Sequence, residues 1–272
     1  MDTKILFTDL DETLLTSDKK VSPADLESIN AIIEKGHRFV IATGRPFYSA
    51  YKLSKELGFV RPGFYIIASN GSIIYDCTDD KMLVRNSVSF EHVAHIFDAA
   101  RKAGIHIQTY TDEHVVAEKE TNEIVSYSSR IKMPYKILPS IPEHLPYEPP
   151  KVIAISPKGH EVLVPFRDSL AQYTEGKLTT VFSLETLLEF LPVQSSKGNA
   201  VIKLCEILNI PIANSIACGD EENDLSMIIA AGVGVAMKNG TDLTKAHADY
   251  ITTCTNNENA ITEVINKFIL QQ

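Results

Sequence analysis

Two aspartates follow an apolar run near the start of the chain. In KILFTDLDETLL, Asp9 lies at the end of the run and Asp11 comes two residues later. Burying carboxylates without partners is costly, because each charge leaves water and neighbouring negative charges repel one another. A hard divalent cation removes this cost, since Mg²⁺ binds one or two carboxylates together with waters and a phosphate oxygen. The pair alone is a weak signal, but it is compatible with phosphate chemistry at a magnesium site.

Other residue types that phosphate chemistry uses also follow apolar runs. Near-continuous apolar runs alternate with helical patterns at both ends of the chain, which indicates a parallel sheet covered on both faces. Ligands of such sheets bind at the carboxyl ends of the strands, so we expect four distant segments to meet at one edge. Besides the two aspartates, these segments carry Thr43, Gly44 and Arg45 after HRFVIA, Lys197 in SSKGNA, and Asp220, Asn223 and Asp224 after SIACG.

Three acids supply the oxygen atoms of the predicted magnesium site. The carboxylates of Asp9 and Asp220 and the backbone carbonyl of Asp11 are ligands of the kind that Mg²⁺ prefers. Asp224 and Asn223 are expected beside the ion, where they orient its ligands or hold its waters.

The same residues predict a covalent route for phosphoryl transfer. Asp9 attacks phosphorus and forms an aspartyl-phosphate. Asp11 protonates the leaving alkoxide and later takes a proton from the attacking water. The non-bridging phosphate oxygens carry charge that donors must stabilise in the transition state. These donors are the Thr43 hydroxyl, the Gly44 N–H, the Lys197 ammonium, and the backbone N–H groups of Leu10 and Asp11.

A second kind of pattern interrupts the alternation in the middle of the chain. Asn70-Gly71 predicts a hairpin turn between two apolar runs. Beyond it, helical and strand-like segments follow one another in an α+β pattern. We predict a Rossmann-like parallel-sheet α/β core of residues 1–83 and 188–272, with an inserted α+β cap domain of residues 84–187.

Composition excludes several classes of partner. The formal net charge is −9 and no Lys/Arg-rich block occurs, so nucleic acid is a poor ligand. No apolar stretch reaches the roughly 20 residues of a membrane span, and the N-terminus lacks the pattern of a signal peptide. The four cysteines form no CxxC pair, which favours reduced thiols over a zinc site. We expect a cytoplasmic protein whose partner is a small phosphorylated metabolite rather than nucleic acid or a membrane.

Four motifs, in order, resemble the signature motifs of the haloacid dehalogenase superfamily. They are DLDETL, TGR, the lysine of SSKGNA and GDEENDLSM. The later segment GVGVAMKNGTDLTKAHADYIT resembles the Cof-type sugar phosphatase branch, in which a large α+β cap lies between the second and third motifs. This resemblance implies a Mg²⁺-dependent hydrolase of small phosphomonoesters, with sugar phosphates as the leading substrates.

The resemblance also implies a role for each motif residue. Asp9 would be the nucleophile and a metal ligand, and Asp11 the general acid and base that binds metal through its carbonyl. Asp220 would bind the metal, with Asp224 close behind. The residues in contact with phosphate would be Thr43, Gly44, Lys197 and Asn223, and Arg45 would touch the body of the substrate.

The chain departs from the family pattern at three places, none of which removes a catalytic group. Glu12 stands where the family often has glycine, Asn239-Gly240 where Asn-Ala is usual, and Asn256–Ile261 where a segment ending in Gly-Val is common.

Two alternative functions are a phosphotransferase or phosphomutase, and a phosphosugar-binding regulatory protein with little turnover. Asp11 favours phosphatase or mutase chemistry, and the large cap favours phosphatase over mutase. The intact set of catalytic residues argues against a purely regulatory role.

Overall fold

A computed structural model describes residues 2–270 of the chain. The strands, in chain order, are β1 (Ile5–Thr8), β2 (Arg38–Ala42), β3 (Phe64–Ala68), β4 (Ile73–Asp76), β5 (Lys81–Arg85), β6 (His106–Tyr110), β7 (Val115–Ala117), β8 (Tyr135–Ile137), β9 (Val152–Ile155), β10 (Leu178–Leu184), β11 (Leu187–Pro192), β12 (Ser215–Gly219), β13 (Val233–Ala236) and β14 (Tyr250–Ile251). The α-helices are α1 (Pro23–Glu34), α2 (Phe47–Glu56), α3 (Phe90–Ala103), α4 (Asn122–Ile131), α5 (His160–Ser169), α6 (Ala171–Thr174), α7 (Lys197–Ile207), α8 (Leu225–Ala230), α9 (Asp242–His247) and α10 (Ala260–Ile265).

The first helix shows how local sequence sets the ends of an element. The hydroxyl of Ser22 accepts a hydrogen bond from the Asp25 N–H at 3.0 Å, and Pro23 occupies the first helical position, where its missing N–H costs nothing. Gly36, with φ of +85°, follows the end of the helix. The Ser22-Pro23 pair and Gly36 thus set the two ends of this helix.

Contacts divide the chain into two compact units. The first comprises residues 1–44, 53–84 and 196–272, and the second comprises residues 45–52 and 85–195.

The first unit is built on an eight-stranded sheet of order β14-β13-β12-β1-β2-β3-β4-β5. Adjacent strands from β14 to β3 run parallel, and β4 turns back antiparallel to β3 through the predicted Asn70-Gly71 hairpin. Apolar side chains of β1, β2 and β3 pack against α7 on one face of this sheet. The α1 and α10 helices are joined by Asp25, which accepts hydrogen bonds from the Thr262 N–H and hydroxyl at 2.7 and 2.8 Å.

The second unit is built on a six-stranded sheet of order β10-β11-β9-β6-β7-β8. Its neighbours pair antiparallel from β10 to β7, and β7 pairs parallel with β8. One apolar cluster includes residues of α3, α5, β9 and β11, and a second includes residues of α4, β7 and β9. The predicted fold class, a parallel-sheet α/β core with an inserted α+β region, is confirmed.

The extent of the two units differs from the predicted boundaries in two places. The predicted boundary between residues 187 and 188 cuts β11, which pairs with β9 and β10 and so belongs to the second unit. Residues 45–52 also group with that unit, where the Ser49 hydroxyl donates to the Ile131 carbonyl at 2.5 Å. Within residues 2–270, none of the helices has the length and apolar character that crossing a membrane requires.

Candidate active site at the strand ends of the first unit

Adjacent parallel strands bring the predicted site residues to one edge of the eight-stranded sheet. Thr8, the last residue of β1, lies opposite Ile41 of β2 on one side and Cys218 of β12 on the other. Asp9 continues β1, and its N–H donates to the Cys218 carbonyl at 3.0 Å. Because neighbouring strands are about 4.8 Å apart, the residues that follow them are held close together.

Lys197 forms the centre of the site. Its ammonium lies 2.6 Å from Asp9 Oδ1 and 2.5 Å from Asp224 Oδ1, and its side chain is buried. Lys197 begins α7, whose first turn is capped by the Ser196 hydroxyl accepting from the Asn199 N–H at 3.0 Å.

A glycine next to Lys197 explains why α7 comes close enough to reach both carboxylates. A Cβ at Gly198 would lie 2.2 Å from the Ser226 carbonyl oxygen at the start of α8. Only glycine permits this approach of the two helices without a shift of backbone.

Three buried carboxylates surround the lysine. Asp9, Asp220 and Asp224 each present an oxygen atom, and these atoms lie within 4.8 Å of one another. Thr13 fixes Asp220 by donating its hydroxyl to Oδ1 at 2.6 Å. Asp224 Oδ2 accepts the backbone N–H groups of Asp220 at 2.9 Å and Glu221 at 3.1 Å, which anchors the loop after β12.

Burial and neighbouring negative charge raise the pKa values of two of the three carboxylates. Burial raises the pKa of Asp9 to about 7; Lys197 opposes this shift, whereas Asp224 and Asp11 add to it. Burial, together with Asp224 and Asp9, raises the pKa of Asp220 to about 9. Burial alone would lower the pKa of Lys197, but the charges of Asp224 and Asp9 and its hydrogen bonds with both raise it.

This donor set fits a hard divalent cation. All three side chains offer carboxylate oxygen, and one lysine cannot neutralise three carboxylates. The raised pKa values of Asp9 and Asp220 show that burial and neighbouring carboxylates disfavour their charged forms, and a bound cation would favour those forms again. Asp224 already uses Oδ1 for Lys197 and Oδ2 for two N–H groups, so Asp9 and Asp220 are better placed to accept an ion.

A strained turn holds the predicted phosphate-binding residues together. Asn70 has φ of +52° between Ser69 at +51° and Gly71 at +97°. From this position its Oδ1 accepts from Asn223 Nδ2 at 3.0 Å, and its N–H donates to the Thr43 carbonyl at 3.1 Å. Left-handed backbone at residues with side chains is disfavoured and persists where the surroundings enforce it.

Gly44 completes this group. A Cβ at residue 44 would lie 3.1 Å from Asn70 Oδ1 and 3.5 Å from Asn223 Nδ2. The structure therefore brings Thr43, Gly44 and Asn223 to the same place, as their strand-end positions predict.

The remaining predicted site residues are Leu10, Asp11 and Arg45. The Asp11 carboxylate is 40% exposed, lies 3.3 Å from Lys19 Nζ and is not one of the three clustered carboxylates; the predicted metal contact through its carbonyl stays a prediction. Leu10 is buried, and its carbonyl accepts from the Leu15 N–H at 2.8 Å. Arg45 groups with the second unit, and its predicted contact with substrate stays a prediction.

Sequence reasoning missed two residues of the site. Thr13 has a weak signal, a hydroxyl four residues after Asp9. Asn70 has a better one, because it follows an apolar strand at the same edge as Thr43. The Asn-Gly pair predicts a turn, and in the structure the Asn70 side chain of this turn also holds Asn223.

Comparisons with known proteins extend over nearly the whole chain. The profile of a family described as haloacid dehalogenase-like hydrolase matches residues 6–265. The 5-amino-6-(5-phospho-D-ribitylamino)uracil phosphatase YwtE of Bacillus subtilis is 28% identical, with 99% of each chain covered. The pyridoxal phosphate phosphatase YbhA of Escherichia coli is also 28% identical, over 92% of this chain and 93% of the relative. A crystal structure of a haloacid dehalogenase-like hydrolase from Bacteroides thetaiotaomicron superposes with a TM-score of 0.87 at 31% identity, over 98% of this chain and 99% of the other.

Proposed function

Because the chain belongs to the haloacid dehalogenase-like hydrolases and is a phosphoric monoester hydrolase, as its motifs predict, we propose that it is a Mg²⁺-dependent phosphatase acting through an aspartyl-phosphate. The observation that carries the proposal is the group of three buried carboxylates around Lys197. Its proposed substrates are small phosphomonoesters, with sugar phosphates as the leading class.

Asp9 is the nucleophile of the proposed reaction. One of its carboxylate oxygens bonds to phosphorus while the ester P–O bond breaks, and the leaving alkoxide takes a proton from Asp11. A water then attacks phosphorus and gives a proton to Asp11 while the bond between phosphorus and the Asp9 oxygen breaks. Inorganic phosphate leaves, and the Asp9 carboxylate is restored. The partly exposed carboxylate of Asp11 is accessible for both proton transfers.

The remaining residues orient Asp9 and hold the phosphoryl group. Lys197 fixes the Asp9 carboxylate, and Asp224 fixes Lys197. Thr43, Gly44 and Asn223 supply donors for the phosphoryl oxygens, with Asn70 holding Asn223.

Magnesium is the proposed cofactor. Asp9 and Asp220 would hold the ion, with the Asp11 carbonyl as a further ligand and Asp224 behind them. When bound, the ion neutralises the carboxylates and the charge on the phosphoryl oxygens.

The experiment is hydrolysis of 4-nitrophenyl phosphate with Mg²⁺, with chelator, and with Asp9→Asn. We expect turnover only with the divalent ion and a loss of about 10³-fold or more in the variant, since the nucleophile is removed. Asp76→Asn is the matched control, because Asp76 is a buried carboxylate at the end of β4 that accepts from the Thr78 N–H at 2.7 Å; the variant should retain activity. Unchanged hydrolysis by Asp9→Asn would remove Asp9 from the nucleophile role.

A panel of phosphorylated metabolites would define the substrate. It should contain sugar phosphates, flavin mononucleotide and pyridoxal phosphate, because two relatives are named for pyridoxal phosphate and for a phosphorylated ribityl compound. Adding acceptor alcohols to the assay separates a phosphatase from a phosphotransferase or mutase, since only the latter would form a new ester. We also propose a cytoplasmic location, which the four free cysteines support.

A further inference from the structure

Glu12 occupies an unusual backbone position beside the proposed acid and base. Its φ is +60°, in the left-handed region that side chains of L-residues disfavour. Its neighbour Asp11 forms an isolated bridge with Leu15, and the Leu15 N–H donates to the Leu10 carbonyl at 2.8 Å. The loop of residues 10–15 is therefore tightly folded, and Glu12 lies at its turning point.

Two asparagines from distant parts of the chain fasten this loop. Asn239 Nδ2 donates to the Glu12 carbonyl at 2.8 Å. Asn256 Nδ2 donates both to Glu12 Oε2 at 3.2 Å and to the Leu15 carbonyl at 2.9 Å. The Asn256 N–H donates to Asn239 Oδ1 at 3.1 Å, and Asn256 is 3% exposed. We call Glu12, Asn239 and Asn256 the clamp.

The clamp extends to the carboxylate of Asp11 through Lys19. Lys19 Nζ lies 2.9 Å from Glu12 Oε1 and 3.3 Å from Asp11 Oδ1. The Glu12 carboxylate thus accepts from Asn256 with Oε2 and from Lys19 with Oε1, and Lys19 in turn contacts Asp11. Fixed backbone and a fixed ion pair both limit where the Asp11 carboxylate can point.

We propose that the clamp positions Asp11 for proton transfer, with Glu12 and Asn256 as positioning residues. This rests on the proposed function, in which Asp11 protonates the leaving group. A misplaced acid affects substrates with a poor leaving group, because an alkoxide needs the proton, whereas nitrophenolate leaves without it. Damage to the fold alone would lower the hydrolysis of both kinds of substrate equally.

The experiment uses this difference with Asn256→Asp. The substitution keeps the side-chain shape but places a carboxylate oxygen against Glu12 Oε2 and the Leu15 carbonyl. With the best alkyl phosphate of the panel, kcat/KM should fall about tenfold, and with 4-nitrophenyl phosphate less than about threefold. Adding Glu12→Gln should recover at least about threefold of the loss with the alkyl phosphate, since the new amide can donate to the new carboxylate.

Ser17→Ala is the matched control. Ser17 lies farther along the same chain segment, where its hydroxyl accepts from Asn257 Nδ2 at 3.1 Å and its N–H donates to Asn257 Oδ1 at 2.9 Å. Both substrates should be hydrolysed by this variant within about twofold of the wild-type rate, because the lost hydroxyl bond does not involve a clamp residue.

The outcomes separate the clamp from the proposed function. Equal losses with both substrates, or no recovery in the double variant, would contradict the positioning role while leaving the phosphatase intact. A wild-type protein that hydrolyses neither substrate would instead refute the proposed function. In that case amide hydrogen exchange of residues 10–15 tests the clamp. Faster exchange in Asn256→Asp that is slowed again by adding Glu12→Gln would support the clamp, and unchanged exchange would overturn it.

Discussion

Each of the two units buries a lysine against carboxylate, but the balance of charge differs. In the first unit Lys197 contacts two of three clustered carboxylates, and Asp9 and Asp220 have raised pKa values. In the second unit Lys151 pairs with Glu189 at 2.9 Å, and Ser183 donates to the other oxygen of Glu189 at 2.7 Å. A pair of one charge each can serve structure alone, whereas an excess of carboxylate indicates a site for a cation.

Loss of the lysine should cost the most stability at the Lys151–Glu189 pair. Lys151→Met leaves Glu189 buried without its cation, and should lower the free energy of unfolding by about 3–5 kcal/mol. Lys151→Met with Glu189→Gln should recover most of that loss, because no charge is left and the Ser183 bond can persist. Urea unfolding followed by circular dichroism measures both. A double variant as unstable as the single one would contradict the charge-pair account.

Loss of the lysine should cost the most activity at the carboxylate cluster around Lys197. Lys197→Met removes a donor to Asp9 and, in the proposed function, a donor to the phosphoryl group, and kcat should fall about 10²–10³-fold. Lys203→Met is the control on the same helix. Its side chain is exposed and its ion pair is with Glu206, away from the cluster. A drop of similar size in the control would show that the effect comes from α7 rather than from the site.

Removing one carboxylate should stabilise the cluster while it ends metal binding. Asp220→Asn keeps an acceptor for the Thr13 hydroxyl and removes one negative charge. In chelator at pH 8 its melting temperature should exceed that of the wild type by a few degrees, about 1 kcal/mol of stability. Added Mg²⁺ should raise the melting temperature of the wild type but not of the variant. A variant less stable than the wild type in chelator would contradict the excess-charge account.

The metal-free protein should also lose stability as pH rises. Asp9 and Asp220 have an ordinary pKa of 3.8 but about 7 and about 9 in the folded state. The folded protein therefore binds more protons between these values, so stability falls as pH rises from about 4 toward 9. Thermal unfolding in chelator at pH 5 and pH 8 measures this, with the lower melting temperature expected at pH 8. Saturating Mg²⁺ should narrow the difference in melting temperature between pH 5 and pH 8. A higher melting temperature at pH 8 than at pH 5 in chelator would contradict the raised pKa values.

Local chemistry in the sequence predicted much of the core. Ser22-Pro23 and Gly36 define the ends of α1, and Asn70-Gly71 makes the hairpin between β3 and β4. The order of the motifs also predicted that Lys197 and Asp9 would meet, because both lie at the carboxyl edge of a parallel sheet.

Features that depend on pairing over long distances were not predictable. The residues of β11 are as apolar as those of a core strand, so nothing local indicated where along the chain the second unit ends. Likewise the left-handed backbone at Glu12 becomes possible through contacts with Asn239 and Asn256, more than 200 residues away in sequence.

Trapping the covalent intermediate tests the central claim most directly. The protein would be mixed with Mg²⁺ and its best substrate, quenched in acid, digested with trypsin and analysed by mass spectrometry. We predict that the peptide Ile5–Lys19 becomes heavier by one phosphoryl group, that fragmentation places this group on Asp9, and that Asp9→Asn yields no such peptide. Active turnover with the phosphoryl group on another residue, or with no phosphorylated peptide even in single-turnover quenches, would contradict the account.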